Sequence, residues 1–211
     1  MNSTYDSLQT WFNLPLDRSD PEQFGRAFNS CREDLNPVWH PLGFIHARLS
    51  TGPDGDTFRM HVWSSAHHHA MEQEDKVHDH LFDVTSRVLF GAIEDARYEF
   101  EPNPEGRFRE LRVDYRPAHS SLKEVNSFGD LVSTSTAVHS SSSEYKIPAY
   151  QLHETTLHSA PLALTIAHTT NPTQYEPRAI FKRQTEIPPR RTPIPCDREL
   201  WLSLVKHMLR L

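Results

Sequence analysis

The sequence predicts an all-β fold, in which many short strands form an antiparallel barrel or sandwich with helices added at both ends. Short runs rich in β-branched and aromatic residues recur along the middle of the chain. Turn signals separate them, the clearest being Thr-Gly-Pro-Asp-Gly-Asp at 51–56. The terminal segments instead space their apolar residues as helices do, and no internal repeat is present. Many short strands of this kind indicate a sandwich or a small barrel.

The individual elements follow from the same patterns. Helices are predicted at about 5–12, at about 20–34 and at 197–211, where the last carries an apolar stripe. The Ser-rich stretch 140–143 is predicted to be a loop or an exposed edge. We predict one domain over 1–211, made of a helical segment (1–38), a β-barrel (40–183) and the C-terminal helix (197–211). Strands are predicted at 43–49, 57–64, 84–90, 92–100, 108–115, 131–138, 144–152, 162–168 and 178–182.

The composition of the chain argues against several classes of function. A chain of 211 residues is long enough to bury a proper core. Its net charge of −6 gives no basis for binding nucleic acid or an anionic membrane. No apolar run approaches the length that spans a membrane, and the polar start does not read as a signal peptide. The two cysteines, Cys31 and Cys196, lie far apart, which is typical of free thiols in a reducing cytoplasm. We therefore expect a cytoplasmic protein whose partner is a small molecule.

The most informative residues are histidines, of which the chain has 14. His78 and His80 project to the same side if their segment is a strand, because side chains alternate along a strand. A third imidazole is offered by His153 at the end of Pro-Ala-Tyr-Gln-Leu-His, although His158 is close enough in sequence to compete. The run 67–69 (His-His-His) is predicted to lie in a solvated loop. Three converging imidazoles would form a metal site.

These two motifs resemble the signature motifs of the cupin superfamily, which are His-x-His before an apolar run ending in glycine, and Pro-x-Gly-x-x-His. Gly91 ends the apolar run here, whereas Tyr150 stands where the second motif has glycine. Val84 and Thr85 stand where a carboxylate ligand usually follows the first pair. The resemblance implies a cupin-type antiparallel β-barrel or jelly roll. It also implies a metal held by three histidines without a glutamate, in a monomer or a homodimer.

Within the cupins, the chain resembles the cysteine dioxygenase family of thiol dioxygenases. The family order is an early-strand arginine, a glycine-rich turn, a strand ending in tryptophan, a His-x-His element and a late histidine. Here these are Arg48, 52–55, 58–63, 78–80 and 152–153. The resemblance covers about 40–183 and implies a mononuclear non-haem iron site, in which Arg48 binds a substrate carboxylate.

Two departures from that family limit what the resemblance implies. Thr85 replaces the cysteine that some members cross-link to tyrosine, so no such cross-link can form. Of the late Ser-His-Tyr triad only His168 is matched, because Ile166 and Thr170 replace the other two. The resemblance therefore supports the family's scaffold and metal ligands for this chain better than it supports the family's substrate.

Further residues are candidates for the substrate pocket. Arg87 would bind an acidic group if a bulge turned it toward the histidines; the alternatives are a structural ion pair or a solvent-facing register. His61 and Tyr98 are candidate substrate-binding residues, and His168 and Tyr150 are candidate proton-transfer residues. Each also has a structural reading, as a packed or capped side chain of a strand.

The leading hypothesis is a mononuclear non-haem Fe(II) dioxygenase that acts on a small carboxylate or amino-acid metabolite, with a thiol as one possibility. Imidazole ligands suit iron and zinc alike, so zinc is the second choice of metal. A zinc cupin would catalyse an isomerisation, a lyase reaction or a bond-forming rearrangement. The third hypothesis is a cupin that binds a metal or ligand without catalysis.

Overall fold

Two antiparallel β-sheets form the body of the molecule, and helices from both termini pack on one of them. The computed structural model describes residues 3–17, 21–67, 73–116, 119–187 and 191–211. The predicted solvated histidine loop falls partly outside these residues, since His68 and His69 are not among them. The architecture is the predicted all-β fold, with two antiparallel sheets and added terminal helices.

The helices are α1 (Ser3–Phe12), α2 (Pro21–Cys31), which a 3₁₀ turn extends over Arg32–Asp34, and α3 (Arg198–Leu209). Asp197 begins α3 as its N-cap, because its carboxylate accepts a hydrogen bond from the backbone N–H of Leu200 at 2.7 Å. Among the described residues, no helix is both long enough and apolar enough to cross a bilayer.

Twelve strands make up the two sheets. The seven-stranded sheet has the order β12-β1-β2-β3-β10-β4-β8, and the five-stranded sheet has the order β11-β6-β7-β5-β9. The strands are β1 (Val38–Trp39), β2 (Phe44–Thr51), β3 (Thr57–Ser64), β4 (Asp83–Phe90), β5 (Ala92–Pro102), β6 (Phe108–Arg116), β7 (His119–Ser140), β8 (Ser143–Ile147), β9 (Leu152–Leu157), β10 (Leu162–Thr170), β11 (Arg178–Lys182) and β12 (Ile194–Pro195).

The two faces of the seven-stranded sheet have different environments, because side chains alternate along each strand. On β3, Phe58, Met60 and Val62 pack under the terminal helices in the largest apolar cluster. The residues between them, Arg59 and His61, point the other way and line a cavity between the sheets. This alternation decides which polar side chains of the sheet can reach a bound ligand.

The segment that carries the His-x-His motif closes the five-stranded sheet. His78 exchanges backbone hydrogen bonds with His153 on β9, at 3.0 and 2.9 Å. On its other side, Asp79 N–H donates to the carbonyl of Arg178, and Ile180 N–H donates to the carbonyl of Val77. The segment therefore joins the two edge strands β9 and β11. It does so through isolated bridges, so the regular strand expected around His78 and His80 is not formed.

Gly91 ends β4 in a conformation that only glycine accepts here. Its φ is +72°, and a Cβ atom at this position would lie 2.1 Å from the carbonyl oxygen of Leu162. The glycine that closes the first motif is therefore required by the tight approach of β10.

The predicted strands agree with the observed ones except around β7 to β9, and the two-residue strands β1 and β12 were not predicted. The run predicted at 144–152 is interrupted after Ile147 by a turn at 148–151, and the second strand continues to Leu157. The strand predicted at 131–138 is only the second half of β7, which begins at His119. The stretch 140–143 is the turn between β7 and β8, as expected.

Candidate metal centre

His78, His80 and His153 come together at the inner side of the closing segment. One ring nitrogen from each lies within 4.8 Å of the others. The Nε2 atoms of His80 and His153 are 3.1 Å apart, which is the spacing expected for two ligands on one cation with bonds of about 2.1 Å. His158, the competing candidate, is half-exposed and faces Glu94 at 3.4 Å.

The outer nitrogens of two of these rings are held by hydrogen bonds. Nδ1 of His153 lies 3.2 Å from the carboxylate of Asp95, and Nδ1 of His78 lies 2.8 Å from the backbone carbonyl of Lys76. Each Nδ1 therefore carries the proton and donates, which leaves the Nε2 lone pair free. A carboxylate or carbonyl behind the imidazole is the usual support of a metal-binding histidine. The donor set therefore fits a divalent metal.

A buried ion pair fixes the His-x-His segment on β11. The carboxylate of Asp79 accepts hydrogen bonds from the backbone N–H of Arg178 at 2.6 Å and from its Nε at 2.7 Å. The carbonyl of His80 accepts from the backbone N–H of Tyr150 at 3.0 Å. The backbone of this segment is thus positioned by contacts that do not involve the imidazole rings of His78 and His80.

Burial keeps the imidazoles of His78 and His80 neutral. It lowers the pKa of His78 to about 3, with the charge of His153 as the next cause. The pKa of His80 is also held well below its ordinary value, by burial first and then by His78 and His153. Neutral imidazole is the form that binds a metal, so these groups need lose no proton to do so at neutral pH.

The three histidines open into a cavity of about 840 Å³ between the sheets. Its floor is the inner face of β2, β3, β4 and β10, and its far wall comes from β6, β7 and β9. Arg48 and His61, two of the predicted substrate-binding residues, line this cavity. Arg48 is exposed and lies beside Arg59 across the β2–β3 pair, whereas His61 is half-buried next to Phe44 and His46.

The predicted role of Arg87 is corrected by its position on the helix-covered face of β4. Its Nε donates to Glu144 at 2.9 Å, its Nη2 donates to the carbonyl of Leu14 at 2.9 Å, and its guanidinium lies 4.7 Å from the ring of Phe12. The neighbouring Ser86 lines the cavity instead. The bulge that would have turned Arg87 inward is not formed, and the arginine makes the structural ion pair that was the alternative.

His168 also lies away from the metal-site histidines. It is buried on the helix-covered face of β10, stacked on Phe58 at 4.2 Å and edge-on to Phe12. Its neighbours Ala167 and Thr169 line the cavity, so strand alternation excludes His168 from it. The proton-transfer role expected for His168 is therefore not supported.

The two predicted tyrosines are outside the cavity lining. Tyr150 is exposed, with its ring 4.6 Å from that of Tyr175, so the expected catalytic role is not supported. Its φ of +69° is the left-handed conformation for which the related motif uses glycine. Tyr98 packs on a small apolar cluster that includes Leu152 and Ile180, rather than facing the ligand space.

Several residues in and behind the cavity walls were not predicted. Asp95 behind His153 gave no signal, because one acid in a β-rich run is usually solvent-facing. Tyr145 lines the cavity with its phenol buried, and burial raises its pKa to about 12. Arg59 and His46 could have been found from alternation with His61 on paired strands. Arg191 lies beyond the predicted barrel and had no motif to mark it.

Comparisons with known proteins add little to this geometry. No family model matches the chain, and no curated protein matches it. A solved structure described as "Crystal structures of DMSP lyases RdDddP and RnDddQII" is similar, with 14% sequence identity and a TM-score of 0.31. The match covers 64% of this chain and 51% of that one, so this chain spans about half the length of its match. With so low a TM-score, the likeness supports no argument about function.

Proposed function

We propose that this protein is a metal-dependent cupin enzyme, a mononuclear non-haem Fe(II) dioxygenase acting on a small carboxylate or amino-acid substrate. The observation that carries the proposal is the convergence of His78, His80 and His153 into a group of ligand atoms that, among the described residues, includes no thiolate or carboxylate. Three neutral ligands leave much of a metal's coordination shell open.

The metal would be bound by Nε2 of His153, by Nε2 of His78 and by a ring nitrogen of His80. Bound Fe(II) supplies open positions and one-electron chemistry with dioxygen, whereas bound zinc supplies Lewis-acid and bound-water chemistry. The walls of the cavity present arginine, histidine and tyrosine side chains to a substrate. The thiol-specific form of the proposal rests on sequence resemblance alone.

A non-oxidative zinc enzyme is the second candidate, and Tyr145 is the observation that favours it. This phenol faces the cavity, and its pKa of about 12 keeps it protonated at neutral pH, because burial disfavours the phenolate. Thr155, which also lines the cavity, lies 3.3 Å from Nδ1 of His153. A buried proton donor that lines the same cavity as the metal ligands suits an isomerisation or elimination as well as an oxidation.

Metal content and oxygen uptake decide between these candidates. The protein would be purified without chelators under anaerobic conditions, its metals quantified, and oxygen consumption followed with a panel of amino acids, hydroxy acids and thiol carboxylates. Iron near one equivalent with substrate-dependent oxygen uptake supports the dioxygenase. One equivalent of zinc without oxygen uptake contradicts it.

The ligand assignment is tested with a matched pair of histidine variants. His153→Ala should abolish stoichiometric metal binding while retaining the β-rich circular dichroism spectrum. His158→Ala removes a half-exposed imidazole five positions along the chain and should retain the metal. If both variants bind metal as the wild type does, the three-histidine site is not the metal site and the proposed function fails.

A further inference from the structure

The cavity is strongly cationic in a chain whose net charge is −6. Four side chains that are positively charged at neutral pH line it, namely Arg48, Arg59, Lys76 and Arg191. Among the described residues that form its walls, none is aspartate or glutamate. A pocket lined by one sign of charge attracts ligands of the opposite sign. Its natural occupant is therefore an anion.

Arg59 is a half-buried cation that has no carboxylate partner in the described part of the chain. Its Nε donates to the hydroxyl of Thr57 at 2.8 Å, and its guanidinium lies 4.8 Å from the ring centre of Phe82. Burial lowers the pKa of Arg59 to about 10, with the charge of Arg48 as a second cause, and the group remains charged at pH 7. A desolvated cation of this kind is destabilising unless an anion pairs with it.

Arg191 presents a second cation from another side of the cavity. Its backbone exchanges hydrogen bonds with Ser120 on β7, at 2.9 and 2.8 Å. Its guanidinium lies 5.5 Å from the ring centre of Phe181, and its Nη2 is buried with no hydrogen-bond partner among the described residues. Burial lowers the pKa of Arg191 to about 10, so it too is charged at pH 7.

The two guanidinium groups share the cavity with the three histidines. Arg59 is linked to the site through Phe82, whose ring centre lies 4.8 Å from the Arg59 guanidinium and 5.2 Å from the ring centre of His80. Arg191 is linked to it through β11, because its guanidinium lies over Phe181 and Ala179 of the same strand forms a bridge with His78. The two arginines therefore approach the site through different elements.

We infer that the substrate of this site is a small dicarboxylate, with one acid group bound by Arg59 and the other by Arg191. The inference rests on the proposed function, because it identifies the substrate class of the same site. Guanidinium binds carboxylate through two parallel hydrogen bonds, so two such groups specify both charge and orientation. The part of the substrate between its acid groups would then lie against the histidines. Arg48, exposed beside Arg59, would attract the approaching dianion.

The test compares dicarboxylates with monocarboxylates of the same chain length. Succinate against butyrate, and glutarate against valerate, would be titrated into zinc-loaded protein by calorimetry, with inorganic phosphate as a simple anion. The dicarboxylate should bind at least about tenfold more tightly than its partner, since only it engages both arginines. Equal affinities within each pair, or phosphate binding as tightly as succinate, would overturn the inference.

Arginine variants assign the effect to the two groups. Arg59→Gln and Arg191→Gln should each weaken succinate binding by about tenfold or more and remove most of the preference over butyrate. Arg107→Gln, which alters an arginine whose side chain is 79% exposed and pairs with Asp130, should change neither. Arg59→Lys retains the charge without the planar fork, and intermediate affinity is expected. Unchanged succinate binding in both glutamine variants contradicts the inference.

The same samples separate this inference from the proposed function. Metal stoichiometry reports on the three-histidine site, and the ratio of dicarboxylate to monocarboxylate affinity reports on the two arginines. If the protein binds one metal but does not prefer dicarboxylates, the proposed function stands and the dicarboxylate inference is wrong. If the protein prefers dicarboxylates but binds no metal, the proposed function is wrong. The two arginines then form an anion-binding site only.

Discussion

At the level of single residues, Asp95 determines which nitrogen of His153 is available to a metal. Its carboxylate is fully buried, and it holds the proton of His153 on Nδ1, facing away from the other two rings. Arg97 also pairs with this carboxylate at 3.1 Å. The pKa of Asp95 is lowered because its hydrogen bonds with His153 and Arg97, together with the charge of Arg97, outweigh the opposing effect of burial.

Asp95→Asn should reduce metal affinity by about 10- to 100-fold, because the amide is a weaker acceptor for His153. Competition titration with a zinc chelator measures this change. Glu94→Gln, at the adjacent half-exposed acid, is the control and should bind as the wild type does. An Asp95→Asn protein within twofold of wild-type affinity would show that the carboxylate does not support the ligand.

Tyr150 differs from the residue of the related motif but keeps the backbone conformation that the motif requires. The related motif has glycine here, and the chain keeps glycine's backbone conformation, φ +69°, with a tyrosine. Tyr150→Val should destabilise the fold by about 1–2 kcal/mol, since a β-branched residue tolerates the left-handed region poorly. Tyr150→Gly should remain close to wild type, because relief of backbone strain offsets the lost ring contact with Tyr175. Urea unfolding of both variants makes the comparison, and equal stabilities would contradict it.

At the level of elements, the closing segment is held by Asp79 more than by regular strand pairing. The Asp79 side chain is fully buried, and its partner Arg178 is 21% exposed. Asp79→Ala should cost about 3 kcal/mol of unfolding free energy, because it leaves a largely buried guanidinium unpaired.

Glu33→Ala gives the matched control for Asp79→Ala. It removes the acid of another arginine–carboxylate pair, Arg198 with Glu33 at 2.8 Å, in which both side chains are exposed. Exposed pairs contribute about 0–1 kcal/mol. Chemical unfolding of the two variants should therefore differ by about 2 kcal/mol or more. A smaller loss for Asp79→Ala than for Glu33→Ala would show that the segment is held by something else.

The sequence predicted those strands and helices whose own residues show the pattern of that secondary structure. The strands β3 and β11 match their predicted limits because β-branched and aromatic residues bounded by turns define them locally. The first half of β7 was missed because most of its residues are polar, so neither alternation nor apolar content marks it. The turn after Ile147 was missed because Pro148 was assigned to the second motif, not to a strand break.

The faces of the strands were harder to predict than the strands. His78, His80 and His153 were found because spacing and motif identify them without knowledge of which side is buried. Arg87 and His168 were assigned to the wrong face. The sequence does not state that α1 and the chain after it cover one side of the sheet and provide partners there. Which face of the sheet the helices pack on depends on tertiary structure and not on the local pattern of the strands.

At the level of the whole molecule, buried neutral histidines make stability depend on pH. Burial first, then the charges of Arg59 and Arg48, lower the pKa of His46 to about 3 from an ordinary value of 6.5. The unfolded chain gains a proton below about pH 6.5 that the folded chain does not accept until about pH 3. This contribution is therefore complete above pH 6.5 and is lost as the pH falls.

His46→Phe should consequently show a shallower loss of stability than the wild type between about pH 6 and pH 4. The aromatic ring retains packing beside His61 and cannot take up a proton. His40 and His61 also have pKa values lowered by burial, so the wild-type loss will not vanish in the variant. Thermal unfolding of metal-free protein across this range measures the difference, and parallel curves for the two proteins would contradict the assignment to His46.

The bridging position of His78 has a consequence for the dynamics of the fold. Its N–H and that of His153 close the seam between β9 and β11, and the same two residues present their rings to one another. A cation held between the rings would therefore oppose local opening of the seam. In deuterium oxide, these two amides should exchange more slowly when metal is added, by a larger factor than amides in β2 and β3.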